Sequence, residues 1–121
     1  MDKNVEISVL CQIYGKMLTE KQYEVLNDYY NNDLSLSEIA ENNNITRQAV
    51  RDIIKKAENK LYELEENISL MKRIFDEEKI IRKIENQLIE IGKIASSDNT
   101  KDKNVEKLVK NIREDLSKLN N

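Results

Sequence analysis

Hydrophobic side chains recur every three or four residues along most of this 121-residue chain, which is the spacing of amphipathic helices. The first such segment runs from about Val5 to Lys16, and Gly15 near its end is predicted to take the left-handed conformation that closes many helices. The alternation and turn dipeptides typical of β-hairpins are missing, so the pattern predicts an all-α fold. On this first helix Val5, Val9 and Ile13 share one apolar stripe, which is joined by Ile7, Leu10, Cys11 and Tyr14.

Capping residues mark where the next three helices begin. Thr19 and Ser35 each stand three residues before a glutamine or a glutamate, which is the pattern of a capping box. The run "ENNNIT" then ends the short helix after Ser35. In this run Asn44 is predicted to adopt a left-handed conformation and Thr46 to cap the following helix. A short helix, a tight turn and a second helix form a helix-turn-helix. The apolar face of the second helix is Val50, Ile53, Ile54, Ala57 and Leu61.

Beyond Leu61 the hydrophobic pattern becomes that of heptads. Two runs step by three and four residues, Leu61–Leu64–Ile68–Met71–Phe75 and Ile81–Ile84–Leu88–Ile91–Ala95. Six residues instead of seven separate Phe75 from Ile81, so either the seam changes face near "DEEK" or the chain bends there. A break after Asn67, with Ser69 capping a new helix, is a further arrangement. The stretch "ASSDNTKDKN" is predicted to be a loop, followed by a final amphipathic helix on Val105, Leu108, Val109, Ile112, Leu116 and Leu119.

The residue types that are missing from the sequence exclude several kinds of catalytic and metal-binding site. Histidine is absent and Cys11 is the sole cysteine, which excludes His/Cys metal sites, histidine-based triads and an internal disulfide. The sequence has no phosphate-cradling glycine loop, so we expect no enzyme activity, no metal and no cofactor. Cys11 is expected to be a buried apolar residue. No signal peptide opens the chain and no apolar run approaches the roughly 18 residues of a membrane span, so we expect a cytoplasmic protein without membrane contact.

The net charge of the chain is −3, but the charged residues are unevenly distributed along it. Residues 1–46 carry eight acids and three bases, and residues 63–121 carry thirteen acids and twelve bases. Residues 47–62 carry five bases against two acids, Asp52 and Glu58, for a local charge of +3. Arg47, Arg51 and Lys55 follow one another at four-residue intervals on one face of this helix, which suits contact with phosphates. Glu58, next along that face, and Asp52 both oppose such contact.

The segment LTEKQYEVLNDYYNNDLSLSEIAENNNITRQAVRDIIKKAENKL resembles region 4 of bacterial sigma-70-type factors, which holds a promoter element with a helix-turn-helix. It is more similar to the YlxM family of small bacterial helix-turn-helix proteins. In that family "LT.KQ", paired tyrosines, "DLSLSEIAE" and "RQAV.D.I" occur together in this order, as they do here. The match covers Tyr14 to about Glu65, with a similar helical tail behind it.

The resemblance to sigma region 4 implies DNA contacts from Arg47, Gln48, Arg51 and Asp52. Asp52 replaces a neutral polar residue of that pattern and Ala49 a charged one, while Asn43 and Asn44 stand where an apolar residue and a glycine are usual. These departures count against promoter reading. The candidate nucleic-acid-binding residues are therefore taken as Arg47, Gln48, Arg51, Lys55 and Lys56.

The YlxM likeness implies a regulator linked to the signal recognition particle pathway, with the RNA or the GTPase of the particle as partner. A DNA-binding transcription regulator with a sigma region 4-like reading head is the alternative. In either case we expect a helix-turn-helix domain over residues 1–65 and a coiled-coil-like helical tail over residues 66–121. The two heptad runs exceed what one small domain needs to bury, so either the final helix packs back on them or a second copy of the chain covers them. Of the two, a homodimer through the tail is the expectation.

Overall fold

The computed structural model describes residues 1–96 and 103–119, and every regular element in these ranges is helical, which confirms the all-α prediction. The predicted loop "ASSDNTKDKN" lies mostly outside the described residues. No helix of the described ranges is long and apolar enough to cross a membrane. The elements are α1 (Lys3–Tyr14), a 3-10 turn (Gly15–Met17), α2 (Glu20–Tyr30), α3 (Leu36–Asn43), α4 (Arg47–Ile68), α5 (Leu70–Ser96) and α6 (Lys103–Leu119).

The chain divides into two compact units, an N-terminal unit over Met1–Met71 and a C-terminal unit over Lys72–Asn121. In the N-terminal unit α4 packs against α1, α2 and α3, so the second helix of the helix-turn-helix is also the central helix of the core. Burying these apolar side chains stabilises the unit by about 25 cal/mol for each Å² removed from water. The core comprises Ile7, Leu10, Cys11, Tyr14, Leu18, Val25, Leu26, Ile39, Ala40, Val50, Ile54, Ala57 and Leu61.

The predicted helix starts and the predicted turn are confirmed. Thr19 and Ser35 each accept a hydrogen bond from the backbone N–H three residues on, and the side chains of Gln22 and Glu38 return the bond to the cap residue. The Thr46 hydroxyl accepts from the backbone N–H of Ala49 at 3.0 Å and caps α4. Asn44 is left-handed, with φ 59° and ψ 40°. These features depend on residues close in sequence, which is why local patterns predicted them.

One expectation for α1 is wrong. Gly15 is right-handed, with φ −56°, and opens the 3-10 turn. A Cβ at Gly15 would lie 2.8 Å from a ring carbon of Tyr23, so a close approach by α2 requires the glycine, not a left-handed backbone. Along the apolar stripe of α1, Ile7 and Leu10 are fully buried, whereas Val5 is 51% exposed.

The long heptad-patterned helix breaks after Ile68. Ser69 has φ 57° and ends α4, and α5 begins at Leu70. The buried Tyr14 hydroxyl donates to Glu65 Oε1 at 2.8 Å and accepts from the Leu70 N–H at 3.1 Å, while Glu65 Oε1 also accepts from the Met71 N–H at 2.9 Å. The first N–H groups of a helix lack partners within it, so α1 and α4 together cap α5. Phe75–Lys79, one of the two places where the heptad pattern allows a bend, is continuous helix within α5.

The C-terminal unit consists of the rest of α5 together with α6. Lys83 Nζ on α5 lies 3.4 Å from Asp115 Oδ1 on α6, and Lys118 Nζ lies 3.8 Å from the same atom. Among the described residues of this unit the buried side chains are Gln87 and Asp115, both polar, and none of its hydrophobic residues is fully buried. Two α-helices by themselves therefore leave the apolar side chains of this unit at least partly open to solvent.

Candidate nucleic-acid interface

Helices α3 and α4 are joined by the three residues Asn44, Ile45 and Thr46. The Ile45 N–H donates to the Ala40 carbonyl at 3.0 Å, and the Asn44 N–H donates to the carbonyls of Ala40 and Glu41, which closes the turn. Ile45 packs against the core. The turn is therefore held both by this hydrophobic contact and by its backbone hydrogen bonds. This anchoring places the start of α4 at the surface in one defined orientation.

All five predicted interface residues are exposed and lie on α4. Val50, Ile54, Ala57 and Leu61 are buried, and these positions fix which side of the helix meets solvent. At about 100° per residue, Arg47, Arg51 and Lys55 advance by only about 40° per step and form one flank of the helix. Lys56 lies on the other flank. The structure thus brings three of the four predicted cations together and separates the fourth. The five residues are Arg47, Gln48, Arg51, Lys55 and Lys56.

Asp52 lies on the outward side of α4, almost opposite the buried face. Its Oδ1 accepts a hydrogen bond from Gln48 Nε2 at 3.1 Å, and Gln48 Oε1 is 3.5 Å from an Arg51 guanidinium nitrogen. The most outward part of the helix therefore carries a carboxylate joined to an amide, not a cation. A phosphate approaching along that line would meet a negative charge.

Glu58 is turned away from solvent by partners that its sequence position does not reveal. The Tyr30 hydroxyl donates to Glu58 Oε1, and Lys3 Nζ lies 3.4 Å from Glu58 Oε2. Only 13% of the Glu58 side chain is exposed, so its charge is balanced within the protein. Burial, and then the hydrogen bond to Glu58, raises the pKa of Tyr30 well above its usual range. Glu58 therefore does not weaken the basic flank, because Lys3 and Tyr30 already satisfy its carboxylate.

Lys3 and Tyr30 are the residues beside this flank that sequence reasoning did not find. Lys3 precedes α4 by more than forty residues, and nothing in the spacing of α1 connects it with Glu58. The paired tyrosines Tyr29 and Tyr30 were visible, but helical spacing alone assigns both to ordinary packing. Their ring centroids are 5.0 Å apart at an interplanar angle of 90°, which is an edge-to-face pair, and Tyr29 remains 38% exposed.

A capped short helix, a tight left-handed turn and an exposed basic second helix define a helix-turn-helix protein. In residues 1–96 and 103–119 no group of three or more potential metal-ligating side chains is assembled. The chain belongs to the UPF0122 family, whose model, described as "Putative helix-turn-helix protein, YlxM / p13 like", matches residues 1–112.

Curated relatives carry the same family name. The chain is 42% identical over 112 residues to a UPF0122 protein of Fusobacterium nucleatum, covering 93% of this chain and 97% of the relative. It is 38% identical over 112 residues to a UPF0122 protein of Clostridium perfringens, with the same two coverages. A relative in Malacoplasma penetrans is 45% identical over 86 residues, covering 70% of this chain and 80% of that one. No solved structure matches the chain.

Proposed function

We propose that this protein is a non-enzymatic regulator that binds nucleic acid through the basic flank of α4. The interface comprises Arg47, Gln48, Arg51 and Lys55, and Lys56 contributes from the other flank. The observation that carries this proposal is the state of Glu58. Because Tyr30 and Lys3 engage its carboxylate, the three exposed cations Arg47, Arg51 and Lys55 are not followed by a free acid on the same flank of α4. Such a row suits the regular spacing of phosphates.

Salt dependence of binding tests this proposal. Affinity for a labelled nucleic acid should fall linearly with salt on logarithmic axes, and the double variant Arg51→Ala/Lys55→Ala should flatten the slope by about two, roughly one for each lost phosphate contact. The variant Lys79→Ala/Lys93→Ala removes the same charge from exposed positions on α5 and serves as the control. Equal losses in the two double variants would mean that net charge, and not the flank of α4, controls binding.

The pathway is proposed from the resemblance to the YlxM family, which is linked to the signal recognition particle. Either the RNA of the particle or its GTPase is the partner, and the protein acts in the cytoplasm. Exposed basic helix faces can meet RNA phosphates without reading bases. Binding of the purified protein to that RNA and to that GTPase would support the assignment. Absence of association with both, together with unchanged GTP hydrolysis, would refute it.

A DNA-binding transcription regulator, with a sigma region 4-like reading head, is the second candidate, favoured by the intact helix-turn-helix geometry. Asp52 distinguishes the two because it lies where such a helix enters the major groove. Substitution Asp52→Gln removes the charge and keeps a hydrogen-bonding side chain beside Gln48. A gain in affinity for duplex DNA would show that the carboxylate restrains binding. If no genomic site is enriched over random DNA at moderate salt, sequence-specific reading is refuted.

Homodimerisation through the helical tail completes the proposal. Four exposed apolar residues of the C-terminal unit follow heptad spacing, Ile81 and Leu88 on α5 and Val109 and Leu116 on α6, while Ile89, also exposed, lies beside the α5 pair. A second copy presents the same two stripes, and two such helical hairpins can bury them in a four-helix bundle. The buried side chains Gln87 and Asp115 also retain one oxygen each without a partner among the described residues, which a second copy could supply.

Molar mass measured by light scattering tests the dimer. The wild type should be dimeric at micromolar concentration, and Leu88→Glu should be monomeric because it places a charge in the proposed seam. Asn86→Glu adds the same charge on an exposed position of α5 outside the stripe and should remain dimeric. A monomeric wild type, or equal behaviour of the two variants, would contradict the proposed seam.

A further inference from the structure

A cleft of about 290 Å³ opens beside the basic flank of α4. Residues from four helices line it: Lys3 of α1, Tyr29 of α2, Leu36 of α3, and Arg51, Ile54 and Lys55 of α4. This volume is at the lower end of the range for small-ligand pockets, which suits one planar ring better than a larger molecule. The cleft thus combines three cations, an aromatic ring and apolar side chains at one place on the surface.

The charges of the cleft favour an anionic ligand. Its carboxylate, Glu58, is engaged by the Tyr30 hydroxyl and by Lys3. Arg51 and Lys55 have no ion pair with any described carboxylate, and both are exposed. Two cations on successive turns of α4 therefore face solvent beside the cleft and can meet phosphates on either side of a group that enters it.

The aromatic wall suits a base. Tyr29 is 38% exposed, and its ring packs edge to face with that of Tyr30. Leu36 and Ile54 supply apolar surface close by. Stacking of a base on an exposed aromatic side chain is worth about 1–3 kcal/mol by alanine substitution, and it requires a base that is not already stacked within a duplex.

We propose that this cleft binds an unpaired nucleobase, which stacks on Tyr29 while Arg51 and Lys55 contact the adjoining phosphates. The inference rests on the proposed function and names its substrate class: a nucleic acid with a loop, bulge or single-stranded segment. Continuous duplex cannot offer such a base. It would also meet Asp52 on the outward side of α4, whereas a nucleotide entering from the flank avoids that carboxylate.

Fluorescence anisotropy with three labelled probes tests the inference. The probes are an RNA hairpin with an unpaired loop, the same stem as a blunt RNA duplex, and the hairpin in DNA. The wild type should bind the RNA hairpin at least about tenfold more tightly than the duplex, and Tyr29→Leu should weaken hairpin binding about tenfold without affecting the duplex. If the RNA and DNA hairpins bind equally, the protein stacks an unpaired base without recognising the ribose. If the RNA hairpin alone binds, the ligand is RNA. Either result supports base binding in the cleft.

Tyr23→Leu is the matched control, because Tyr23 is also on α2 and similarly exposed at 44% but does not line the cleft. Circular dichroism verifies that both variants are folded. As a second measurement, a loop carrying 5-bromouridine is photo-crosslinked to the wild-type protein, and mass spectrometry should locate the bond at Tyr29. Crosslinks confined to residues outside the cleft would overturn the inference.

The remaining outcomes separate this inference from the proposed function. If hairpin and duplex bind equally, Tyr29→Leu has no effect and Arg51→Ala/Lys55→Ala weakens both, the cleft inference is overturned while nucleic-acid binding by α4 stands. If the wild type binds none of the three probes at low salt, both are overturned. A wild type that prefers the duplex overturns the cleft inference and favours major-groove reading.

Discussion

Removing one buried hydroxyl, with Tyr14→Phe, should destabilise the N-terminal unit more than an ordinary Tyr→Phe substitution. Tyr14 is 2% exposed, and its hydroxyl both donates to Glu65 and accepts from the Leu70 N–H. Phenylalanine keeps the ring in the core and deletes only these two hydrogen bonds. Burial, and then the hydrogen bond to Glu65, raises the pKa of Tyr14, so the hydroxyl remains neutral at physiological pH.

The expected loss of stability follows from the two groups that lose their partner, the Glu65 carboxylate and the Leu70 N–H. A hydrogen bond to a charged group contributes about 1.5–3 kcal/mol, and an N–H that loses its acceptor in a partly buried site costs about 1–3 kcal/mol. The contributions are not additive, and Glu65 keeps its bond from the Met71 N–H at 2.9 Å. We therefore expect a loss of about 2 kcal/mol in the free energy of unfolding of the N-terminal unit.

Tyrosine signals allow the unfolding of the N-terminal unit to be measured separately from that of the C-terminal unit. All five tyrosines lie between Tyr14 and Tyr62, inside Met1–Met71, and the chain has no tryptophan. Phe75 lies in the C-terminal unit, so urea unfolding is followed by near-UV circular dichroism in the tyrosine band, where phenylalanine does not absorb, and this signal reports on the N-terminal unit. With m of about 1 kcal/mol/M, the lower end for small domains, the urea midpoint should fall by about 2 M.

Tyr23→Phe is the control, since Tyr23 is exposed and its hydroxyl makes no hydrogen bond among the described residues. It should change stability by less than about 0.5 kcal/mol. A double-mutant cycle with Glu65→Ala should give a coupling energy of at least about 0.5 kcal/mol, as contacting residues do. If Tyr14→Phe costs no more than Tyr23→Phe, the capping of α5 by Tyr14 contributes nothing to stability and the reasoning fails.

Three further predictions concern single positions. Gly15→Ala should lower the thermal midpoint because its Cβ meets the Tyr23 ring, whereas Gly92→Ala, with open space in mid-helix, should stabilise by up to about 1 kcal/mol; the reverse order would contradict the close-approach argument. Asn44→Ala should cost about 1 kcal/mol and Asn44→Gly much less, as measured by urea unfolding, because φ is 59°; equal losses would exclude backbone strain as the cause. Tyr30 keeps its proton in the folded protein above pH 10, so its contribution to stability is present below that pH and is lost as the pH rises further. Tyr30→Phe should flatten this alkaline loss, and an unchanged slope would show that other groups cause it.

The parts of the fold that sequence predicted are those held by neighbours in the chain. Each capping box joins a residue to one three positions on, and Asn44 takes its conformation from its own short side chain. Local patterns gave the wrong conformation for Gly15, because the role of this glycine is determined by the Tyr23 ring of α2. The end of α4 at Ser69 was only one of several arrangements, since Tyr14, fifty-one residues before Glu65, helps to fix it.

The two acids of the basic helix show why the interface was harder to predict than the fold. In sequence Asp52 and Glu58 are equivalent, and each subtracts one from the charge of residues 47–62. In the structure Glu58 faces α1 and α2 and is balanced by Lys3, while Asp52 remains on the outward side with Gln48 as its hydrogen-bond donor. Lys3 belongs to α1 but lies beside the basic flank of α4. It adds a positive charge near Glu58 that the sequence of α4 does not include.

The position of the two acids also bears on the direction from which a nucleic acid approaches. A ligand centred on the outward side of α4 would meet Asp52 first, with Lys55 and Lys56 diverging on either side. A ligand centred on the flank would meet Arg51 and Lys55 together, beside an exposed tyrosine ring. Exposed charges about a Debye length apart, roughly 8 Å at physiological salt, act nearly independently, so the local arrangement outweighs the net charge of −3. An acidic protein can therefore bind phosphate through this flank, and it does so most favourably with a strand that leaves the outward side of the helix uncovered.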